Sequence, residues 1–329
     1  MKAVVVSEYG GPEVLKPVAE WARPEPAPGQ ALVKLAVAGV NFIDVYMRNG
    51  LYKRSDTYEQ ALPLVPGMEG AGVVEAVADN VDGVEVGDRV AWCLERGSYA
   101  EYTAVPAWKL VTVPDDVSFE MAAALQLQGS TAHYLVNSLF ALEAGQACLV
   151  HAGAGGLGQM LIQLAKAKGA RVFTTVGSAQ KADIARAAGA DEAILYRETD
   201  FADAVLDLTG GAGVDVVYDS VGKDTISGSL KCVKRRGTVS NNGNASGPIG
   251  ALDPLDLAEA GSVFFTRPHL ADYIATPEER RRRAGELFDL LRAGRLSVNI
   301  DRVLALSEAE EAHRLLEARK STGKILLAV

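Results

Sequence analysis

The sequence predicts an α/β chain in two parts, a small mainly β barrel and a doubly wound, six-stranded parallel sheet. Three observations carry that prediction. The first 125 residues alternate in strand fashion between frequent turn residues. Residues 126–266 alternate apolar runs with helical patterns, the rhythm of a parallel sheet covered by helices. Between the first of those runs and its helix stands a glycine-rich turn made by Gly153, Gly155 and Gly158.

In the N-terminal part, turns are marked by Gly10-Gly11-Pro12, the run Pro24 to Gly29, Pro66-Gly67 and Gly87-Asp88. Alternation over Ala31 to Ala38 and Gly70 to Val77 predicts antiparallel barrel strands. Next, Cys148 to Ala152 is a short apolar run of the kind buried in a parallel sheet. The glycines that follow read G-x-G-x-x-G. They allow a tight turn, a close approach of backbone to pyrophosphate, and close contact of helix with strand. Leu157, Leu161, Leu164 and Ala165 then recur at helical spacing, so the helix aims its N-terminal amides at the phosphates. His151, just before the turn, reads as a packed, hydrogen-bonded histidine.

Further strands are predicted at Arg171 to Val176, Glu192 to Leu195, Val214 to Asp219, Gly237 to Ser240 and Ser262 to Phe265. Helices are predicted between them, at Ala179 to Ala188 and Lys223 to Lys234. With the first strand this makes six, the count of a complete Rossmann fold. The tail predicts helices at Pro277 to Ala293 and Ser307 to Ala318, the second opened by a capping box of Ser307 with Glu310. A last strand, Lys324 to Val329, has no neighbour near it in sequence and must return to the barrel. Residues 126–266 thus form an insertion within a domain made of 1–125 and 267–329.

The net charge of −9 argues against nucleic acid as a partner, because binding a polyanion needs a basic surface. The run Arg280 to Arg283 follows Glu278 and Glu279 and reads as a solvated, salt-bridged helix start. Cys93, Cys148 and Cys232 are far apart and odd in number, which fits neither a disulfide framework nor a cysteine-rich zinc lobe. The N-terminal run MKAVVVSEYGG is too short for a signal peptide, and no segment is suited to span a bilayer. A cytoplasmic setting follows as the expectation.

The end of the second sheet strand, Thr174-Thr175-Val176-Gly177-Ser178, has no acid to grip ribose hydroxyls. Gly177, Ser178 and Lys181 instead suit a 2′-phosphate, which favours NADPH over NADH. Arg197, beside Tyr196, reads alone as a solvated surface cation.

Several local motifs together resemble the zinc-free quinone oxidoreductases of the medium-chain dehydrogenase/reductase superfamily, the group that includes zeta-crystallin. They are GGPEVL at Gly10 to Leu15, GVNFIDVYMRNGLY at Gly39 to Tyr52, PGMEGAGVV at Pro66 to Val74 and GDRV at Gly87 to Val90. The glycine turn, TVGSAQK at Thr175 to Lys181, VYDSVG at Val217 to Gly222 and FTRP at Phe265 to Pro268 complete the set. The resemblance runs end to end and implies a GroES-like barrel beside the Rossmann domain. Where the superfamily's alcohol dehydrogenases hold zinc with Cys, His and Cys, this chain has Asn41, Met68 and Leu127. An amide, a thioether and a leucine do not make a tetrahedral zinc site, so no metal is expected. Nearer relatives commonly carry a lysine where Gln128 stands and an aromatic where Asn242 stands, both positions implied to lie by the nicotinamide.

The resemblance also implies a site. Asn41, Tyr46 and Tyr52 are candidate hydrogen-bond donors to a developing oxyanion, Arg48 a cation to attract it, and Asp44 a group that orients a neighbour. Each also fits a simpler reading: Tyr46 and Tyr52 as half-buried aromatics with wet hydroxyls, Asn41 as a partner for strand-end backbone, and Arg48 as a cation paired with a surface acid. For the cofactor it implies Gln128, Thr131, Ala154, Gly155, Gly156, Leu157, Gly158, Gly177, Ser178, Lys181, Tyr196 and Ser220. Asn241, Asn242, Gly243, Asn244, Phe265, Arg267 and Lys324 complete that set. The activity implied is NADPH-dependent reduction of a quinone. The alternatives are reduction of an α,β-unsaturated carbonyl with the same cofactor, or a non-catalytic, crystallin-like NADPH-binding protein. An apolar edge strand at Ser262 to Phe265 predicts a homodimer.

Overall fold

A computed structural model describes residues 1–53, 58 and 61–329. The chain forms two compact units. One comprises Met1–Ser130, Ile274–Gly294 and Val298–Val329; the other comprises Thr131–Tyr273 and Arg295–Ser297. The expected borders were 125 and 267. No helix end marks the first border, because Phe119–Ala124 runs through a π-helical turn, Leu125–Gly129, into the helix Ser130–Tyr134.

In the barrel unit the main sheet runs in the order Ile300–Ala305, Lys324–Ala328, Gln30–Val40, Glu69–Val77, Arg89–Cys93, Val111–Thr112, and Ala3–Val5 pairs with Lys16–Val18 in a separate two-stranded sheet. Tyr102–Pro106 pairs with Gln30–Val40 as well. The last strand does return to the barrel: Ile325 stands opposite Val40 and Ala328 opposite Val37, antiparallel. Val33, Trp92, Tyr99, Leu306 and Leu327 meet in its core.

Two expectations for the tail are corrected. Arg280 and Arg283 are buried, not solvated, because at 3.6 residues per turn they share the inner face of Pro277–Arg292 with Ala284 and Leu287. Arg280 donates through Nη1 to the Cys93 carbonyl at 2.8 Å. The outer pair is salt-bridged at the surface, Arg281 to Glu278 and Arg282 to Glu286. The second correction concerns the cap of the following helix. Ser307 lies inside a 3₁₀ turn, and it is Glu308 that accepts from the Ala305 N–H at 2.8 Å before the helix Ala309–Glu317.

The other unit holds a parallel sheet in the order Glu192–Leu195, Arg171–Val176, Ala147–His151, Val214–Asp219, Val233–Asn241, Phe264–Thr266. The order reverses beside Ala147–His151, and ligands of doubly wound sheets bind where it reverses. The helix expected over Lys223 to Lys234 is shorter, Ile226–Cys232, since the chain passes directly into a strand at Val233. Among the described residues no helix is long and apolar enough to cross a membrane.

Candidate active site

The predicted site residues fall in both units. In the sheet unit every residue of Ala147–His151 is buried, and the chain turns sharply at Ala152 into the helix Gly156–Ala167. A Cβ on Gly158 would collide with the Ala152 carbonyl and the Gly153 Cα, so only glycine lets the helix sit this close to the turn. Gly155 differs: only the Ala152 oxygen, 3.3 Å away, comes within 4 Å of a Cβ placed there. Gly155, Gly156 and Leu157 are half-buried, while Ala154 is buried and its carbonyl is tied by Gln159 Nε2 at 2.8 Å. The helix start is thus an open cradle of amides, which fits a pyrophosphate.

His151 is the packed histidine the sequence predicts. Its Nδ1 lies 2.8 Å from Thr175 Oγ1 and its Nε2 3.0 Å from Ser229 Oγ. Ser229 donates to Asp219 at 2.9 Å, so its proton is held by the carboxylate and it is not a nucleophile activated by histidine. Burial lowers the pKa of His151, with Asp219 opposing.

At the end of the second strand, Ser178 caps the helix Ala179–Ala187 by accepting from the Lys181 N–H at 3.4 Å. Tyr196 is 39% exposed. A Cβ on Gly177 would lie 3.0 Å from Tyr196 Oη and 3.5 Å from Arg197 Nε. Arg197 therefore joins this cluster, a residue that reading it alone had missed. The signal was the parallel register, which sets Leu195 beside Val176 and so brings the residues after each together.

Past the fifth strand, Asn241 is buried and its side chain donates to Gly243 O at 2.8 Å, while Arg267 Nη1 donates to the Asn241 carbonyl at 3.0 Å. Asn242 has a buried amide nitrogen and oxygen, neither with a partner. One unmet donor beside one unmet acceptor matches the carboxamide of a nicotinamide. Ser220 donates to the His151 carbonyl at 3.4 Å, Thr131 is buried in its helix, and Phe265 is half-buried on the edge strand.

In the barrel unit, Asn41 opens the helix Phe42–Arg48. Its Nδ2 donates to Glu69 Oε2 at 2.9 Å and its Oδ1 accepts from Lys324 Nζ at 2.7 Å. Lys324 also pairs with Glu69, both fully buried, and the other Glu69 oxygen accepts from the Leu127 N–H at 2.6 Å. Leu127 lies in the π-helical turn, and such turns release backbone groups for other partners. Gln128, in the same turn, has a buried Oε1 without a partner.

This geometry corrects two expectations, for Asn41 and Arg48. Asn41 is engaged with Glu69 and Lys324, so it holds the wall of the site instead of offering a donor to substrate. Lys324, expected at the cofactor, is paired with Glu69 and Asn41 inside the barrel unit. Arg48, 1% exposed, pairs bidentately with Glu317 at 2.9 and 3.0 Å and donates to Gly10 O, so it does not attract an anionic product. Tyr46 and Tyr52 do come together, with ring centroids 5.6 Å apart edge to face, and Tyr58 stacks on Tyr52 at 5.1 Å. A zinc ion does not fit here. Asn41 is bonded to a carboxylate and an ammonium, Met68 is a buried thioether, and Leu127 offers only its backbone.

Residues 27–115 match the alcohol dehydrogenase GroES-like domain, and residues 156–279 match the zinc-binding dehydrogenase family. The chain is 43% identical to a quinone oxidoreductase of Pseudomonas aeruginosa over 327 residues, 99% of each chain. It is 39% identical to a 2-haloacrylate reductase of a Burkholderia species, covering 99% of this chain and 98% of that one. The crystal structure of Escherichia coli quinone oxidoreductase complexed with NADPH matches with a TM-score of 0.96 at 39% identity, covering 100% of both chains.

Proposed function

The chain belongs to the quinone oxidoreductases of the medium-chain dehydrogenase/reductase superfamily, and from that premise we propose that it reduces quinones with NADPH and without a metal. The observation that carries the cofactor is the strand-end cluster of Gly177, Ser178, Lys181, Tyr196 and Arg197. It offers cations and hydroxyls and no carboxylate, as a 2′-phosphate requires. The open amides of Gly155 to Leu157 would hold the pyrophosphate, and Asn242 the carboxamide. When bound, the dinucleotide supplies hydride. A quinone accepts it readily, so the protein has only to orient the ring and steady the oxygen that gains charge. Tyr46 and Tyr52 are the donors proposed for that oxygen.

Relatives with both activities stand near this chain, and the 2-haloacrylate reductase supports a second reading, reduction of activated carbon–carbon double bonds. That reaction needs a proton at the alpha carbon, which a tyrosine hydroxyl supplies. Following NADPH oxidation with naphthoquinone, benzoquinone and small enones in parallel separates the two readings. Turnover of none of them would reject both and leave the crystallin-like alternative.

The same reading includes a homodimer in the cytoplasm. The edge strand Phe264–Thr266 leaves Phe264 65% exposed, and the helix Pro254–Glu259 has no buried residue and leaves Leu255 62% exposed. A monomeric mass in light scattering would refute the dimer.

A further inference from the structure

Inside the barrel unit a line of hydrogen bonds joins the surface to the start of the helix Phe42–Arg48. Glu317, one third exposed, accepts from both terminal nitrogens of Arg48. Arg48 Nη1 also lies 3.2 Å from His313 Nδ1. A guanidinium has hydrogens and no acceptor, so Nδ1 must accept and the ring hydrogen sits on Nε2. Nε2 is 3.0 Å from Tyr99 Oη and donates to it. The Tyr99 hydroxyl is then left to give its own hydrogen to Asp44 Oδ2 at 3.3 Å. The same oxygen accepts from the Asn41 N–H at 2.8 Å. Each link has one direction, and Arg48, His313, Tyr99 and Asp44 are all at most 1% exposed.

Resting on the quinone reductase reading, we propose that Tyr99 and His313 are positioning residues for the reduction, holding Asp44 and, through it, the Asn41 end of the helix that carries Tyr46. Asp44 grips the first turn of that helix at the Asn41 N–H, so what fixes Asp44 fixes the turn. A neutral His313 is required, because a second ring hydrogen would face the Arg48 guanidinium. Burial, with Arg48 beside it, lowers the His313 pKa to about 3 and keeps that form. Asp44 faces Tyr99, Lys324 on the last strand and Glu69 on the strand Glu69–Val77. Burial chiefly, and Glu69 in part, push its pKa up to about 7, against the Asn41 N–H, Lys324 and Tyr99. Its Oδ1 has no partner, so a proton carried there leaves both bonds to Oδ2 in place.

Nitrogen-15 NMR of the wild-type histidines tests the line directly. The expected result is a neutral His313 with hydrogen on Nε2, unchanged between about pH 8 and pH 5. Hydrogen on Nδ1, or titration near pH 6.5, would overturn the proposal. Kinetics then test the role. Tyr99→Phe and His313→Leu are expected to lower kcat/KM for a quinone by about tenfold or more, with the Kd for NADPH unchanged. His313→Gln, whose amide nitrogen takes the place of Nε2, is expected to recover most of that loss. Unchanged kcat/KM in the first two variants, or a parallel loss of NADPH binding, would refute positioning. An inactive wild type would sink the functional reading and the role with it, whereas a titrating His313 in an active enzyme would sink the line alone.

Discussion

Gly177 and Arg197 lie across two adjacent parallel strand ends, and a side chain on the first would begin 3.5 Å from the guanidinium Nε of the second. Glycine at this point leaves the cation and the Tyr196 hydroxyl open to a phosphate. Gly177→Asp would fill that space with a carboxylate that pairs with Arg197 and repels a 2′-phosphate. NADPH affinity is expected to fall by about ten- to a hundredfold, the worth of a charged hydrogen bond, with NADH affected far less. Titration of both nucleotides measures the ratio; equal losses would show that the phosphate is held elsewhere.

The buried Glu69–Lys324 pair yields a stability prediction. Lys324→Met leaves Glu69 and the Asn41 carbonyl without their cation in the barrel core. The expected loss is about 3–5 kcal/mol in urea unfolding. Replacing both charges, Glu69→Gln with Lys324→Met, is expected to cost less than the single change. A double variant worse than the single one would refute the account.

Tyr46 and Tyr52 separate the two chemistries. Removing the hydroxyl in Tyr52→Phe is expected to slow enone reduction by about tenfold or more, as loss of a general acid does. Quinone reduction, which needs no proton at carbon and keeps Tyr46 as a donor to the charged oxygen, should change by less. Equal effects on both acceptors would mean that the tyrosine only shapes the site.

The local features were legible in the sequence because each is contained in a few consecutive residues. The glycine turn, its strand and its helix are defined by spacing, and the six-strand count follows from apolar runs. The final strand was placed by elimination, having no neighbour near it in sequence. What stayed hidden depends on contacts between distant residues. Arg48 meets Glu317 across most of the chain, so nothing near Arg48 marks it as paired. Arg280 and Arg283 look solvated beside Glu278 and Glu279 until the inner face of their helix is known. The pairing of Lys324 is hidden for the same reason, its partner Glu69 belonging to another strand of the sheet.

His313 and Asp44 bind protons in opposite senses, which gives a prediction for stability against pH. The folded pKa of His313, about 3, lies below its ordinary 6.5. The unfolded chain therefore takes that proton first, and stability is lost as pH falls from 6.5 toward 3. Asp44, raised to about 7 from 3.8, holds an extra proton when folded, so it adds stability as pH falls from 7 toward 3.8. Each contribution amounts to about 1.4 kcal/mol per pH unit, and where the windows overlap they cancel. Asp44→Asn keeps an oxygen for Asn41 and Tyr99 but removes one side of the balance. Relative to wild type it is expected to become progressively less stable as the buffer is taken from about pH 7 to pH 4. His313→Gln should move the other way over the same range. Melting temperatures of the three proteins across that series decide the matter, and curves that stay parallel would show that neither group titrates as its surroundings require.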